Sequence, residues 1–158
     1  MKKRLDIFYD KEFLKTREAV IDIPIIKETI KILKQKKYNM VVATNPIFPK
    51  KAILHRIKWA GFDPEDFMHI TSYEESHYCK PKIQFYEEIL KKINKIPEEC
   101  MMVGNNVEED LIAGELGIKT YLIEDFIINS SNTNFISTYK GNYNDFYKFV
   151  NNLPDLND

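Results

Sequence analysis

From Asp22 onward the chain alternates stretches whose apolar residues recur at helical spacing with short, nearly unbroken apolar runs. Ile26, Ile30 and Leu33 give one apolar helix face that ends near Lys36-Lys37, and Met40-Val41-Val42-Ala43 follows as a short buried strand. Pro49 suits a first helical turn, Ile53, Ile57 and Ala60 line one face, and Gly61 ends that segment before the strand Phe67-Met68-His69-Ile70. Pro81 opens a third helix with Ile83, Tyr86, Leu90 and Ile93 on one side, and Pro97 lies beyond its end. Cys100 to Val103 reads as a strand, Val107 to Leu116 as a helix with Gly117 as C-cap, and Tyr121-Leu122-Ile123 as a fourth strand. This alternation is the signature of a parallel sheet covered by helices, an α/β fold.

Two segments break the pattern. Residues 125 to 142 are polar and rich in Asn, Ser and Thr, which predicts an irregular excursion before a last helix with Phe146, Phe149 and Val150 inward. In the first 22 residues, Leu5 to Tyr9 alternates as a strand would, whereas Phe8, Phe13 and Leu14 among charged residues fit a short helix, the reading we favour.

The chain has 158 residues, enough for one domain with a real core, and no internal repeat is visible. A formal charge of −1 recommends neither nucleic acid nor a membrane surface as partner, and the short, separated lysine runs read as a solvated face. The absence of a long apolar run or a signal-like N-terminus makes a cytoplasmic protein the expectation. Cys79 and Cys100 have neither Cys-x-x-Cys spacing nor His pairing, so reduced thiols are expected rather than a disulfide framework or a zinc site.

In open parallel sheets, ligands bind where loops leave the carboxyl ends of the strands. Thr44, Asn45, Asn105 and Asp110 fall there. Thr44 offers a hydroxyl and Asn45 a backbone N–H that can face an anion, although Thr-Asn-Pro also makes a turn for purely local reasons. Lys80 precedes Pro81, which biases its backbone to extended geometry and lets its ammonium project ahead of the helix to neutralise a phosphate or hold a carboxylate. Gly104-Asn105-Asn106-Val107-Glu108-Glu109-Asp110 leaves a strand and opens a helix. Its oxygens suit a hard cation such as Mg²⁺, or, on the local reading, an Asn cap with acids that offset the helix dipole. His69 and His77 have no second ligand at metal spacing and read as structural or exposed.

Val41-Val42-Ala43-Thr44-Asn45-Pro46, Tyr78-Cys79-Lys80-Pro81 and Met101 to Asp110, in this order along the chain and at roughly the family spacing, resemble three of the four motifs of the haloacid dehalogenase-like (HAD) superfamily of Mg-dependent phosphate-handling hydrolases. The resemblance covers about residues 22 to 124. Ala43 to Pro49, Arg56 to Gly61, Ile70 to Glu74 and Cys79 to Lys82 look like a bacterial branch of that superfamily. It implies a Rossmann-like HAD core over residues 23–158, with residues 1–22 the remnant of a helical cap or a substitute strand. It also implies that Thr44 and the Asn45 N–H bind the transferred phosphoryl group, that Lys80 orients the nucleophile, and that Asp110, with Asn105 and Asn106, supports Mg²⁺. The implied reaction is attack by an Asp carboxylate on a small phosphate ester, giving an aspartyl-phosphate that water hydrolyses.

The sequence departs from the family in two places. Asn105 and Asn106 stand where an acid is expected, and no Asp-x-Asp strand carrying the nucleophile is found; Asp6 and Asp10 are the candidates for a substitute. The first central strand is therefore expected to be missing or replaced. Three alternatives are open: Leu5 to Tyr9 fills the gap, the strands ending at Thr44 and Val103 pair directly, or a separate polypeptide supplies the strand. The expectation is the C-terminal part of a HAD hydrolase from a split or truncated reading frame, inactive by itself. The alternative is a catalytically silent phosphate-binding or protein-interaction domain on the same scaffold.

Overall fold

Short apolar runs become strands here because helices cover both of their faces. In the computed structural model, which describes residues 7–156, β1 (Met40–Val42) pairs in parallel with β2 (Phe67–Ile70). β3 (Met101–Gly104), β4 (Lys119–Ile123) and β5 (Tyr139–Gly141) form a second parallel sheet in that order. The helices are α1 (Pro24–Gln35), α2 (Lys50–Trp59), α3 (Ile83–Ile93), the single turn α4 (Val107–Asp110) and α5 (Tyr143–Asn152).

Strand alternation distributes side chains between the layers. Val41 and Met102 turn to one side, where Phe85, Tyr86, Ile89 and Leu90 of α3 gather them into one apolar cluster with Ala113 and Ile118. Met101 faces the other side, toward Ile26, Ile32 and Leu33 of α1 and Phe146 and Val150 of α5. Val42 joins Ile53 and Ile57 of α2 and Ile70 of β2. Burial of Phe85, Ile53 and Leu122, each at most 2% exposed, contributes roughly 1.5–3 kcal/mol per side chain. α3 thus packs against Val41 of β1 and Met102 of β3.

Several expectations are corrected. β1 and β3 do not pair with each other, so the readable strands form two sheets rather than one. Residues 7–10 are helical, and Phe13–Ala19 is a 3₁₀ segment, so the strand reading fails for Ile7 to Tyr9; Leu5 and Asp6 lie outside the described residues. Phe13 instead stacks on Trp59 of α2, ring centroids 5.4 Å apart. The stretch 125–142 is not wholly irregular, because Tyr139–Gly141 adds an edge strand to β4. The helix expected over 107–116 is α4 followed by a 3₁₀ segment, Leu111–Leu116, with Gly117 in the left-handed conformation at φ 91° as its C-cap. Among the described residues no helix is long and apolar enough to cross a membrane.

Candidate functional site

The carboxyl ends of β1 and β3 open into a cleft of about 460 Å³ lined by Thr44, Asn45, Arg56, Lys80, Asn105, Asn106, Glu109 and Asp110, with apolar walls from Val42, Met102 and Ile128. Every residue expected at a site is therefore in one place, except Asp6, outside the described residues, and Asp10. Asp10 is exposed, bonds Lys51 Nζ at 2.6 Å and does not line the cleft.

Thr44 is set by the buried Thr71, whose hydroxyl donates to the Thr44 carbonyl at 2.6 Å and whose N–H donates to the Val42 carbonyl at 3.0 Å. The Thr44 carbonyl is thus spent on structure. The Asn45 carbonyl accepts from the Ile47 N–H at 2.8 Å, which closes the turn before Pro49. Among the described residues Asn45 Oδ1 is buried without a hydrogen-bond partner, and its Nδ2 reaches Glu109 Oε1 only at 3.4 Å. A buried amide oxygen without a donor is costly, so this atom marks a place where a donor is wanted.

Lys80 Nζ donates to Asp110 Oδ1 at 2.6 Å, and the two side chains are only 6% and 7% exposed. The ammonium lies 5.7 Å from the Phe85 ring centroid and 6.0 Å from that of Tyr86. Asp110 Oδ2 accepts from the Asn106 N–H at 3.0 Å. Gly104 is required for this arrangement: a Cβ there would lie 2.0 Å from Asp110 Oδ2. Tyr86 Oη donates to the Glu109 carbonyl at 2.6 Å; burial, then the charges of Asp110 and Glu109, push its phenol well above the ordinary range and keep it a donor.

The two asparagines are used locally. Asn106 Oδ1 caps α4 by accepting from the N–H groups of Glu108 and Glu109 at 3.1 and 3.0 Å. Asn105 Nδ2 donates to the Phe126 carbonyl at 2.7 Å, and the Ile128 N–H donates to the Asn105 carbonyl at 2.8 Å, which straps residues 126–128 along the cleft. His77 is exposed and paired with Glu88 at 2.7 Å.

These contacts decide what the cleft can hold. For an anion it offers the Thr44 hydroxyl, the Asn45 amide region, Lys80 and the exposed guanidinium of Arg56, which sits 5.6 Å from the Phe48 ring centroid. For Mg²⁺ the fit is poor: both Asp110 oxygens are engaged, Asn106 Oδ1 is a cap, and no group of three or more His, Cys, Asp or Glu among the described residues could hold a metal ion. Arg56 was missed as a site residue, because on a helix pattern it reads as an ordinary solvent-facing charge, and Glu109 was read only as one of the acids that open the helix.

Residues 3–117 match the family of haloacid dehalogenase-like hydrolases. Over 102 residues the chain is 31% identical to a glyceraldehyde 3-phosphate phosphatase of Methanothermobacter thermautotrophicus, covering 63% of this chain and 43% of that protein. The chain thus spans less than half the length of that curated relative. A HAD phosphatase from Thermococcus onnurineus superposes with a TM-score of 0.69 at 18% identity, over 86% of this chain and 61% of the other. A HAD-hydrolase from Bacillus subtilis, solved bound to magnesium, gives 0.65 at 19% identity, over 82% and 56%. At such identities the two structures share the fold, an α/β Rossmann-like core.

Proposed function

The chain belongs to the haloacid dehalogenase-like hydrolases, and on that premise we propose that its cleft is the phosphate-binding half of a phosphatase site acting on a small phosphate ester. The observation that carries this reading is the buried Lys80–Asp110 pair between the carboxyl ends of β1 and β3, in the cleft that Thr44 also lines. An ammonium kept in place by a carboxylate at 2.6 Å is pre-positioned for the charge of a transferring phosphoryl group, which is where fixed electrostatics act most strongly.

In this reading Thr44 and the Asn45 N–H bind phosphoryl oxygens, and Lys80 stabilises the charge as an Asp carboxylate oxygen bonds to phosphorus. The alcohol leaves with a proton, and water then attacks the aspartyl-phosphate to release orthophosphate and restore the carboxylate. The nucleophile is not assigned to any described residue: Asp110 is bound to Lys80, and Asp10 is outside the cleft. Asp110 and Glu109 are the carboxylates at the cleft, and with Asp110 engaged they do not fit Mg²⁺ as they stand.

The test pairs binding with turnover, using orthophosphate calorimetry and Mg²⁺-dependent release of phosphate from an aryl phosphate, each for the intact chain and for Lys80→Ala. Saturable phosphate binding lost in Lys80→Ala, without turnover by the chain alone, is expected. Binding unchanged by Lys80→Ala overturns the phosphate reading; turnover abolished by it means that the chain carries its own nucleophile, with Asp6 and Asp10 tested next, and overturns the reading that the chain alone is inactive.

A further inference from the structure

After β4 the chain returns to the turn that leaves β3, where Ile128 bridges Asn106 in parallel. Phe126, Ile127 and Ile128 follow one another there at 68, 43 and 45% exposure. A contiguous run of exposed apolar side chains marks a contact surface, as scattered ones do not. The backbone beneath them is firmly held. Asn105 Nδ2 donates to the Phe126 carbonyl at 2.7 Å, the Ile128 N–H to the Asn105 carbonyl at 2.8 Å, and the Val107 N–H to the Ile128 carbonyl at 2.9 Å. On either side, the Tyr143 N–H donates to Asp125 Oδ2 at 2.7 Å and the Ser131 N–H to Glu108 Oε1 at 2.8 Å. Phe126 is kept at φ 54°, in the left-handed region, which a residue with a Cβ occupies only where its surroundings over-determine it.

Two observations say what this rigid strap faces. Ile128 lines the same cleft as Thr44, Asn45 and Lys80, so a group bound at those residues shares its space with the Ile128 side chain. The strap's own polar atoms there are spent, because the Phe126 carbonyl and both the N–H and the carbonyl of Ile128 are bonded to the turn after β3. What Ile128 turns to the cleft is hydrocarbon, and a ligand hydroxyl laid against it would lose water without gaining a partner. The residue that fixes this wall is Asn105. It stands where the family resemblance expects an acid, and a carboxylate there could not donate to the Phe126 carbonyl.

We propose that residues 126–128 are a fixed apolar wall of the substrate site, that Asn105 is its positioning residue, and that Ile128 selects phosphate esters of apolar alcohols over esters that carry a hydroxyl close to the phosphate. The proposal rests on the phosphatase reading and deepens it by naming the substrate class.

The experiment titrates the intact chain by calorimetry with propylphosphonate and with 2-hydroxyethylphosphonate, which are equal in heavy atoms and have no ester bond to cleave. Propylphosphonate should bind about tenfold more tightly, since only the other ligand buries an unpaired hydroxyl. Ile128→Ser should reduce that ratio below about threefold, because it removes the apolar contact. Ile136→Ser, at an exposed apolar residue outside the cleft, should leave the ratio unaltered. Amide hydrogen exchange without any ligand reads the strap separately: Asn105→Asp should speed exchange at Ile128 at least about tenfold, with β4 little changed, and should lower the ratio as well. Equal affinity for the two phosphonates, a ratio insensitive to Ile128→Ser, an equal fall in Ile136→Ser, or exchange at Ile128 unaltered by Asn105→Asp overturns the proposal. Equal affinities that still depend on Lys80, tested with Lys80→Ala, sink the wall and leave the phosphatase reading standing. If neither phosphonate binds, or both bind as well to Lys80→Ala, that reading falls and the proposal with it.

Discussion

Replacing Lys80 by Met removes one charge of a pair whose side chains are 6% and 7% exposed, while a flexible thioether keeps apolar contact with Phe85 and Tyr86. Breaking a buried pair from one side costs about 3–5 kcal/mol, most of it the penalty of the charge left behind. Asp110 retains the Asn106 N–H at 3.0 Å, which puts the loss near the lower end, about 3 kcal/mol. At roughly 2–4 °C per kcal/mol for a chain of this size, Tm should fall by about 6–12 °C. Urea unfolding of Lys80→Met, Asp110→Asn and the double variant closes the cycle, and the double variant should recover about 2 kcal/mol relative to additivity because it leaves no lone charge. A Lys80→Met loss below about 1 kcal/mol, or effects additive within about 0.5 kcal/mol, would refute the reasoning that the pair is buried and coupled.

Gly104→Ala places a Cβ 2.0 Å from Asp110 Oδ2 and must push that carboxylate off Lys80, so denaturant titration should show a loss of about 2 kcal/mol or more; a neutral result would mean that Asp110 is not held there. Asn106→Ala should cost about 1 kcal/mol and Asn106→Ser almost nothing if the side chain acts as a cap, whereas equal losses in thermal melts would point to another role. Burial raises the pKa of Glu88, but the ring and backbone N–H of His77 and the Lys92 ammonium outweigh it and hold the carboxyl at about 2 against an ordinary 4.5. The folded-state value is depressed, so its stabilisation is present above about 4.5 and is lost as pH falls toward about 2. The Tm gap between the native chain and Glu88→Gln should therefore close over that window, and a gap independent of pH would contradict it.

The helices with strong apolar periodicity were legible: Tyr86 and Leu90 of α3 and Phe146 and Val150 of α5 are buried as their spacing requires. β5 was not, because Tyr139-Lys140-Gly141 is too short to alternate and lies at an edge. Thr29 of α1, fully buried, hid behind its polar identity; its hydroxyl donates to the Ile25 carbonyl at 2.7 Å, which satisfies it inside the helix. The meeting of Thr44, Lys80 and Asp110 followed from their placement after strands, since a parallel sheet brings all its carboxyl ends to one edge. What those side chains do there could not be read in the same way. An Asn cap and a carboxylate held by Lys80 were each read as one of two alternatives, and which of them Asn106 and Asp110 adopt depends on rotamers that spacing does not set. The separation of β1 from β3 was anticipated only as one of several ways to accommodate a missing strand, because pairing between strands distant in sequence leaves no local signal.

The central claim is that Thr44, Asn45 and Lys80 form a phosphate cradle, and amide-resolved NMR titration of the 158-residue chain with orthophosphate tests it most directly. The account predicts saturable shifts concentrated at Thr44, Asn45 and the backbone around Lys80, abolished in Lys80→Met after its fold is verified. Shifts scattered over the exposed lysines, or concentrated away from the cleft and insensitive to that substitution, would contradict it.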